Sequence, residues 1–436
     1  MKPSLIIRMA QPSGKLLEGV FAVSKPPSVS SAQVLRDLQH TFADSKTFAP
    51  LLEQTKSVRE TQERHQPKRR KRTSDDQIFK MGHGGTLDPL ATGVLIVGIG
   101  RGSKSLPDFL GCKKTYETVV LFGKSTDTYD IMGKVVAEAP TENITRDVVE
   151  DKLTQFKGKM KQIPPIYSAI KVQGMKLYEY ARSGRELPRQ LESRDIEISE
   201  CTLLDYYAPG EHDYRWPAEQ ATDEEKAVAQ KLIAGAESTK RLLGQDAEPA
   251  KPRTPPSERY KDFRDSNNLP PDKKAAMHTH DIGTLEAKPA NAPAARIRLT
   301  VSSGFYVRSF AYDLGTACGS YGTMAALVRS KQGQFTNIEP TPGGFVPAVT
   351  WEDLNTGEDI WGPKITKVLE EWVETHPPPS TENRIDDRDR PERDYRPKRS
   401  NHGGGWRGGG RKRRWNDGEH GRDAKPPRRN SSSPEL

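Results

Sequence analysis

Regular apolar patterning in this chain is confined to three stretches, residues 16–35, 80–204 and 295–354. Whatever folds must therefore be assembled from segments brought together across long polar interruptions. The first interruption, about 41–79, ends in Gln66-Pro67-Lys68-Arg69-Arg70-Lys71-Arg72. Consecutive cations of this kind cannot be buried, so the insertion reads largely as solvated loop. The second, about 205–294, is rich in Glu, Lys, Ala and Pro, as in Lys251-Pro252-Arg253-Thr254-Pro255-Pro256. It cannot bury enough apolar surface to offset chain entropy, apart from one helix over 222–243. Residues 376–436 form a basic tail around Gly403-Gly404-Gly405-Trp406-Arg407-Gly408-Gly409-Gly410-Arg411-Lys412-Arg413-Arg414. Gly supplies flexibility, Arg phosphate contacts and Trp a stacking face, a combination that binds RNA non-specifically; a tail that only solubilises is the competing reading. What is left, roughly 270 residues, makes one large domain spanning 1–355.

Composition narrows the function classes. No stretch approaches the roughly 20 apolar residues that span a bilayer, so no membrane-spanning helix is expected. Cys112, Cys201 and Cys318 lie too far apart for a disulfide scaffold or a Cys-based zinc site. The nine histidines include no H-x-x-x-H pair beside a carboxylate, which argues against a catalytic metal. A formal net charge of +9 points to a polyanionic partner.

The periodicities mix. Val94–Ile99 and Thr115–Phe122 read as strands bounded by glycines, and Arg296–Val301 alternates as a half-buried strand should. Helices are expected at 145–156, with Thr145 as cap, at 175–183 and at 306–318. Strands at 115–123 and 133–138 are joined by a short polar turn, which favours antiparallel pairing between them. The fold class is α+β around a mixed, largely antiparallel sheet.

Two strings carry chemistry. In Gly82-His83-Gly84-Gly85-Thr86-Leu87-Asp88-Pro89-Leu90-Ala91-Thr92-Gly93-Val94-Leu95, the glycines permit positive φ and close approach of a ligand. Pro89 biases Asp88 towards an extended conformation, and a strand follows at once, so the carboxylate is presented from a rigidly anchored loop. An Asp that merely caps a turn is the bland alternative. The second string, Val301-Ser302-Ser303-Gly304-Phe305-Tyr306-Val307-Arg308-Ser309-Phe310-Ala311-Tyr312-Asp313-Leu314-Gly315, joins a strand to a helix. An Arg at position 308 suits bidentate pairing with a carboxylate or a phosphate, and Tyr306 suits packing under a planar base; ordinary helix-surface pairing is the alternative.

Together these strings resemble the TruB/Pus4 family of tRNA pseudouridine synthases. Further matching parts are Val23–Ser31, Lys114-Thr115-Tyr116, Ile163–Lys171 with Leu177–Arg182, and Leu327-Val328-Arg329-Ser330-Lys331-Gln332-Gly333-Gln334-Phe335, all in the family order. The resemblance implies a pseudouridine synthase fold with helices flanking the sheet. It implies that Asp88 is the catalytic aspartate, that Arg308 pairs with it, and that Tyr116 stacks on the target base with Tyr306 beside it. Leu327 matches the apolar residue lining the uracil pocket. His83 matches a histidine that contacts the RNA loop, with a purely structural role as the other reading, and Lys25 and Pro26 match a mainly structural motif.

The implied activity is isomerisation of uridine 55 in the tRNA T loop on a flipped-out base, without cofactor or metal. The long insertions look eukaryotic and most like the fungal branch. Too few residues follow Phe335 for the C-terminal domain of guide-directed relatives, so a stand-alone monomer that needs no guide RNA is expected, with other RNAs reached through the tail. Competing classes are a non-catalytic RNA-binding or tRNA-folding protein of the same fold, and a base-cleaving glycosylase. Lys68–Arg72 suggests the nucleus, and the acid-free residues 1–17 add a hint of mitochondrial import.

Overall fold

The computed structural model describes residues 14–65, 78–227 apart from 166, 169, 178 and 181–192, and 285–378. The run Lys68–Arg72, the residues before 14, the 222–243 helix beyond residue 227 and the tail beyond 378 lie outside the described residues.

The strands, in chain order, are β1 (Gly19–Lys25), β2 (Met81–His83), β3 (Thr92–Ile99), β4 (Lys114–Phe122), β5 (Lys124–Thr126), β6 (Val135–Glu138) and β7 (Gly158–Gln162). They continue with β8 (Lys171–Val172), β9 (Met175–Lys176), β10 (Arg194–Tyr207), β11 (Ala294–Val301), β12 (Gly322–Gln332), β13 (Phe335–Thr336) and β14 (Val346–Pro347). The helices used below are α1 (Ser31–Ala43), α2 (Ala49–His65), α3 (Leu106–Gly111), α4 (Arg146–Thr154), α5 (Val307–Ala317), α6 (Trp351–Thr356) and α7 (Glu358–Thr375).

The central sheet runs β1-β3-β12-β4-β11-β10-β7. Every step along it is antiparallel except β3 beside β12. The expected mixed, largely antiparallel sheet is thus present. β3 is a continuous apolar run because both of its faces are covered. Leu95, Val97 and Ile99 join the main core with α1 and α7, while Val94 and Ile96 pack beside Leu106 and Phe335. β11 alternates as expected: Ala295, Ile297, Leu299 and Val301 enter the main core. On its other face Arg298 pairs with Glu117 at 2.9 Å and Arg296 with Asp205 at 3.2 Å. Thr145 caps α4, accepting from Val148 N, as its position predicts.

Four expectations need correction. The strands at 115–123 and 133–138 do not pair. Gly123, at φ +118°, ends β4 and lets a new short strand, β5, leave the sheet and pair with β6. The helix expected at 175–183 starts later, because Gln173 and Gly174 take positive φ in the turn of the β8–β9 hairpin.

The insertion at about 41–79 is not largely loop. It contains α2, and Phe48, Leu51 and Leu52 at its start are buried in the main core. Nor does the domain stop at 355. Trp361, Ile365 and Leu369 recur every fourth residue on α7 and are buried in that core, the Trp361 ring 4.9 Å from Phe42. The flanks of the 205–294 insertion also pack, with Trp216 buried against Ala290, Ala292 and Ala294.

Trp361→Ala is expected to cost about 3–5 kcal/mol of stability by urea titration, because it opens a cavity in the aromatic group of Phe42 and Phe48. A chain ending at residue 355 should lose its cooperative unfolding transition altogether.

Candidate active site

The loop between β2 and β3 is fixed on both sides of Asp88. Ahead of it, Leu87 N donates to Ser31 Oγ at 2.9 Å and Ser31 Oγ donates back to Leu87 O at 3.1 Å. Behind it, Lys25 Nζ donates to Pro89 O at 3.0 Å, to Pro26 O at 2.8 Å and to Val29 O at 2.7 Å. Arg329, fully buried on β12, donates to Gly85 O at 3.1 Å and to Val94 O at 2.7 Å. Three residues further along β12, Gln332 Nε2 donates to Gly84 O at 2.6 Å. A loop held this way has few conformations left, and the Asp88 side chain remains 32% exposed.

Arg308, in the first turn of α5, meets that carboxylate at two points. Its Nε donates to Asp88 Oδ2 at 2.9 Å and its Nη2 to Asp88 Oδ1 at 3.2 Å. The planar fork matches the carboxylate and fixes its rotation. The guanidinium is buried, at 8% exposure, and its other donors reach Thr128 O at 3.1 Å and Tyr167 O at 2.9 Å. A second carboxylate, Asp130, lies 3.7 Å from Arg308 Nε. Burial pushes the Asp130 carboxyl up to about 6, with Arg308 opposing the shift and Asp88 adding to it. Thr128 Oγ1 and Met132 N both donate to Asp130 Oδ1, at 2.7 and 3.0 Å.

Of the remaining expected residues, Tyr306 feels the charges of both Arg308 and Asp88. Tyr116 on β4 and Leu327 on β12 are both buried in the core cluster that also takes Leu87 and Val307, the neighbours of Asp88 and Arg308. Tyr306 is the N-cap residue of α5 and is half-buried, and burial raises its hydroxyl above the usual tyrosine range. His83 ends β2. Its Nδ1 is buried without a hydrogen-bond partner among the described residues. Burial first, then the charge of Arg329, brings its pKa down to about 4. His83 is therefore neutral near pH 7, and any RNA contact it makes is a hydrogen bond or a ring face rather than an ion pair. The lysine of the first motif tethers backbone carbonyls, which fits the structural part expected of it.

Sequence reasoning missed Asp130, Gln162, Gln332 and the tether made by Arg329. Asp130 carried a signal, since Asp127-Thr128-Tyr129-Asp130 is turn chemistry between two short strands. The others are polar residues on strands, Gln162 and Gln332 at strand ends, whose partners lie far away in sequence.

The model for the TruB family pseudouridylate synthase N-terminal domain matches residues 70–222. The chain is 37% identical to tRNA pseudouridine synthase 4 of Schizosaccharomyces pombe, over 73% of this chain and 79% of that protein. It is 32% identical to tRNA pseudouridine synthase 4 of Saccharomyces cerevisiae, over 81% of this chain and 85% of that protein. A solved chain from a Cbf5-Nop10-Gar1 complex superimposes with a TM-score of 0.40 at 16% identity, covering 82% of this chain and 62% of that one, a likeness too loose to carry an argument.

The depressed His83 pKa has a defined consequence for stability. Between about pH 4 and pH 6.5 the unfolded chain binds a proton at this histidine that the folded chain does not, so its contribution to stability rises with pH through that window. His83→Gln should flatten the stability–pH curve between pH 4 and 6.5 relative to wild type and leave it parallel above pH 7. Urea titrations at each pH measure this, and parallel curves throughout would count against the assignment.

Proposed function

We propose, for a chain that belongs to the TruB family of pseudouridine synthases, that it converts one uridine of tRNA to pseudouridine, at position 55 of the T loop, with Asp88 as the group that acts on the nucleoside. The observation that carries this reading is the half-exposed Asp88 carboxylate held at two points by the buried Arg308.

The reaction breaks the N1–C1′ bond, turns the uracil and joins C5 to C1′, while the proton on C5 is lost and N1 gains one. Atoms balance within the nucleotide, so the protein must supply one aimed carboxylate, a wall for the uracil and exclusion of water. Asp88 serves either by attack at the sugar or by removal of a sugar proton. Tyr116 and Leu327 would supply an aromatic face and an apolar wall for the uracil; both are buried in the same core cluster as Leu87 and Val307. Extruding a base from the RNA stack costs a few kcal/mol, and stacking on a tyrosine returns about 1–3 kcal/mol.

The chain acts as a monomer without guide RNA in this reading. The basic runs at Lys68–Arg72 and Arg411–Arg414 add phosphate contacts. The Lys68–Arg72 run supports a nuclear location, and the acid-free residues 1–17 support a share in mitochondria.

The test compares wild type with Asp88→Asn and Arg308→Lys on an unmodified tRNA transcript, mapping pseudouridine by chemical probing. Wild type should convert a single T-loop uridine. Asp88→Asn should bind the transcript and convert none, and Arg308→Lys, which loses the two-point grip, should react about 10²-fold more slowly. Equal conversion by Asp88→Asn and wild type would remove the aspartate from the chemistry. Free uracil as the product would instead make the protein a glycosylase. Deleting residues 379–436 is expected to weaken tRNA binding at moderate salt and to leave the modified position unchanged.

A further inference from the structure

We propose that Gln162 is a positioning residue for this reaction: its side-chain amide grips the backbone of Tyr306 on both sides and so sets Tyr306 and Arg308 against Asp88. The inference rests on the reaction assigned above and extends it to a residue that touches neither substrate nor Asp88.

The start of α5 lacks the usual local cap. Ser30 and Thr145 cap α1 and α4 with their own hydroxyls, but Tyr306, at the corresponding place, makes no side-chain cap bond. The function passes to a residue 144 positions away. Tyr306 N donates to Gln162 Oε1 at 2.7 Å, and Gln162 Nε2 donates to Tyr306 O at 2.9 Å. An amide side chain presents a donor and an acceptor side by side, and here both are used, so the amide has one orientation that satisfies it. Gln162 is 4% exposed and closes β7, where its register opposite Arg194 ties it to the central sheet.

The segment that follows completes the seat. Ile163 O accepts from Ser309 Oγ at 3.3 Å, and Tyr167 O accepts from Arg308 Nη2 at 2.9 Å. The first turn of α5 is thus received by one continuous stretch anchored at Gln162. Arg308 lies two residues beyond Tyr306 and must place two nitrogens on one carboxylate. A displacement of the helix start by about 1 Å would break that match, a change that costs about 10²-fold in rate when it misaligns reacting groups.

Two variants separate this role from ordinary buried polar packing. Gln162→Glu keeps the shape and, assayed at about pH 8.5 so that its carboxyl is ionised, offers acceptors only; Gln162→Met keeps the length and removes donor and acceptor. Single-turnover conversion of the tRNA transcript with enzyme in saturating excess reports the rate constant of folded, bound enzyme, and filter binding reports affinity. The rate constant should fall about tenfold for Gln162→Glu and about 10²-fold for Gln162→Met, with affinity within about twofold of wild type. Wild-type rate constants in both variants overturn the proposal. So does a loss in both that is matched by lost binding or folding, which would make Gln162 structural only; if Gln162→Met alone fails to fold, Gln162→Glu decides. A wild type that forms no pseudouridine would instead sink the reaction itself.

Discussion

The bidentate pair between Arg308 and Asp88 sets the terms for the rest of the molecule. It joins a loop on one side of the sheet to the first turn of a helix 220 residues later. Removing a guanidinium from water costs several kcal/mol, so a buried arginine is tolerable only when its donors are met. Here each nitrogen of the fork has an acceptor: two carboxylate oxygens and the carbonyls of Thr128 and Tyr167. Those carbonyls sit on two separate irregular segments, which must therefore be brought to the same point. The long crossings between β4, β7 and α5 follow from that requirement more than from any local propensity.

A fixed arginine is useful only if the carboxylate it meets is also fixed. Buried cations secure the Asp88 loop as well, through backbone oxygens rather than acids. Lys25 and Arg329 spend their donors on carbonyls of Pro89, Gly85 and Val94, around but never on the reacting group. Because their hydrogen bonds end on neutral carbonyls, they leave the Asp88 carboxylate to a single partner that holds it in plane. Asp130 is the counterweight. It lies 3.7 Å from the same Nε that meets Asp88 at 2.9 Å, so the arginine is not held equally from both sides.

How legible this was depended on whether the signal was local. β3, β4, β11, α4 and α5 follow from apolar runs, alternation and caps within a dozen residues of each other. Asp88, Tyr116, Tyr306, Arg308, Leu327 and His83 were legible through motif strings, and the structure puts the first and fourth in direct contact. α2 was hidden because only the residues at its start are buried, while its described residues beyond Leu52 are exposed or half-buried and polar apart from Val58. α7 had a clear four-residue spacing of Trp361, Ile365 and Leu369, but it lies past the last patterned stretch and so was left outside the domain. The β5–β6 pairing turned on one glycine conformation. Gln162 acts through bonds spanning 144 residues, for which a linear pattern carries no trace, whereas Asp130 was visible only as part of a turn.

The exposures of the two central groups indicate the direction from which substrate arrives. Arg308 is 8% exposed and Asp88 32%, so of the two groups the carboxylate is the one a solute can reach. In the proposed reaction a sugar would therefore meet the carboxylate rather than the guanidinium, and the flipped nucleotide itself would displace the water around that carboxylate. Water exclusion then comes with substrate binding, which is the moment when stray hydrolysis of the broken glycosidic bond has to be prevented.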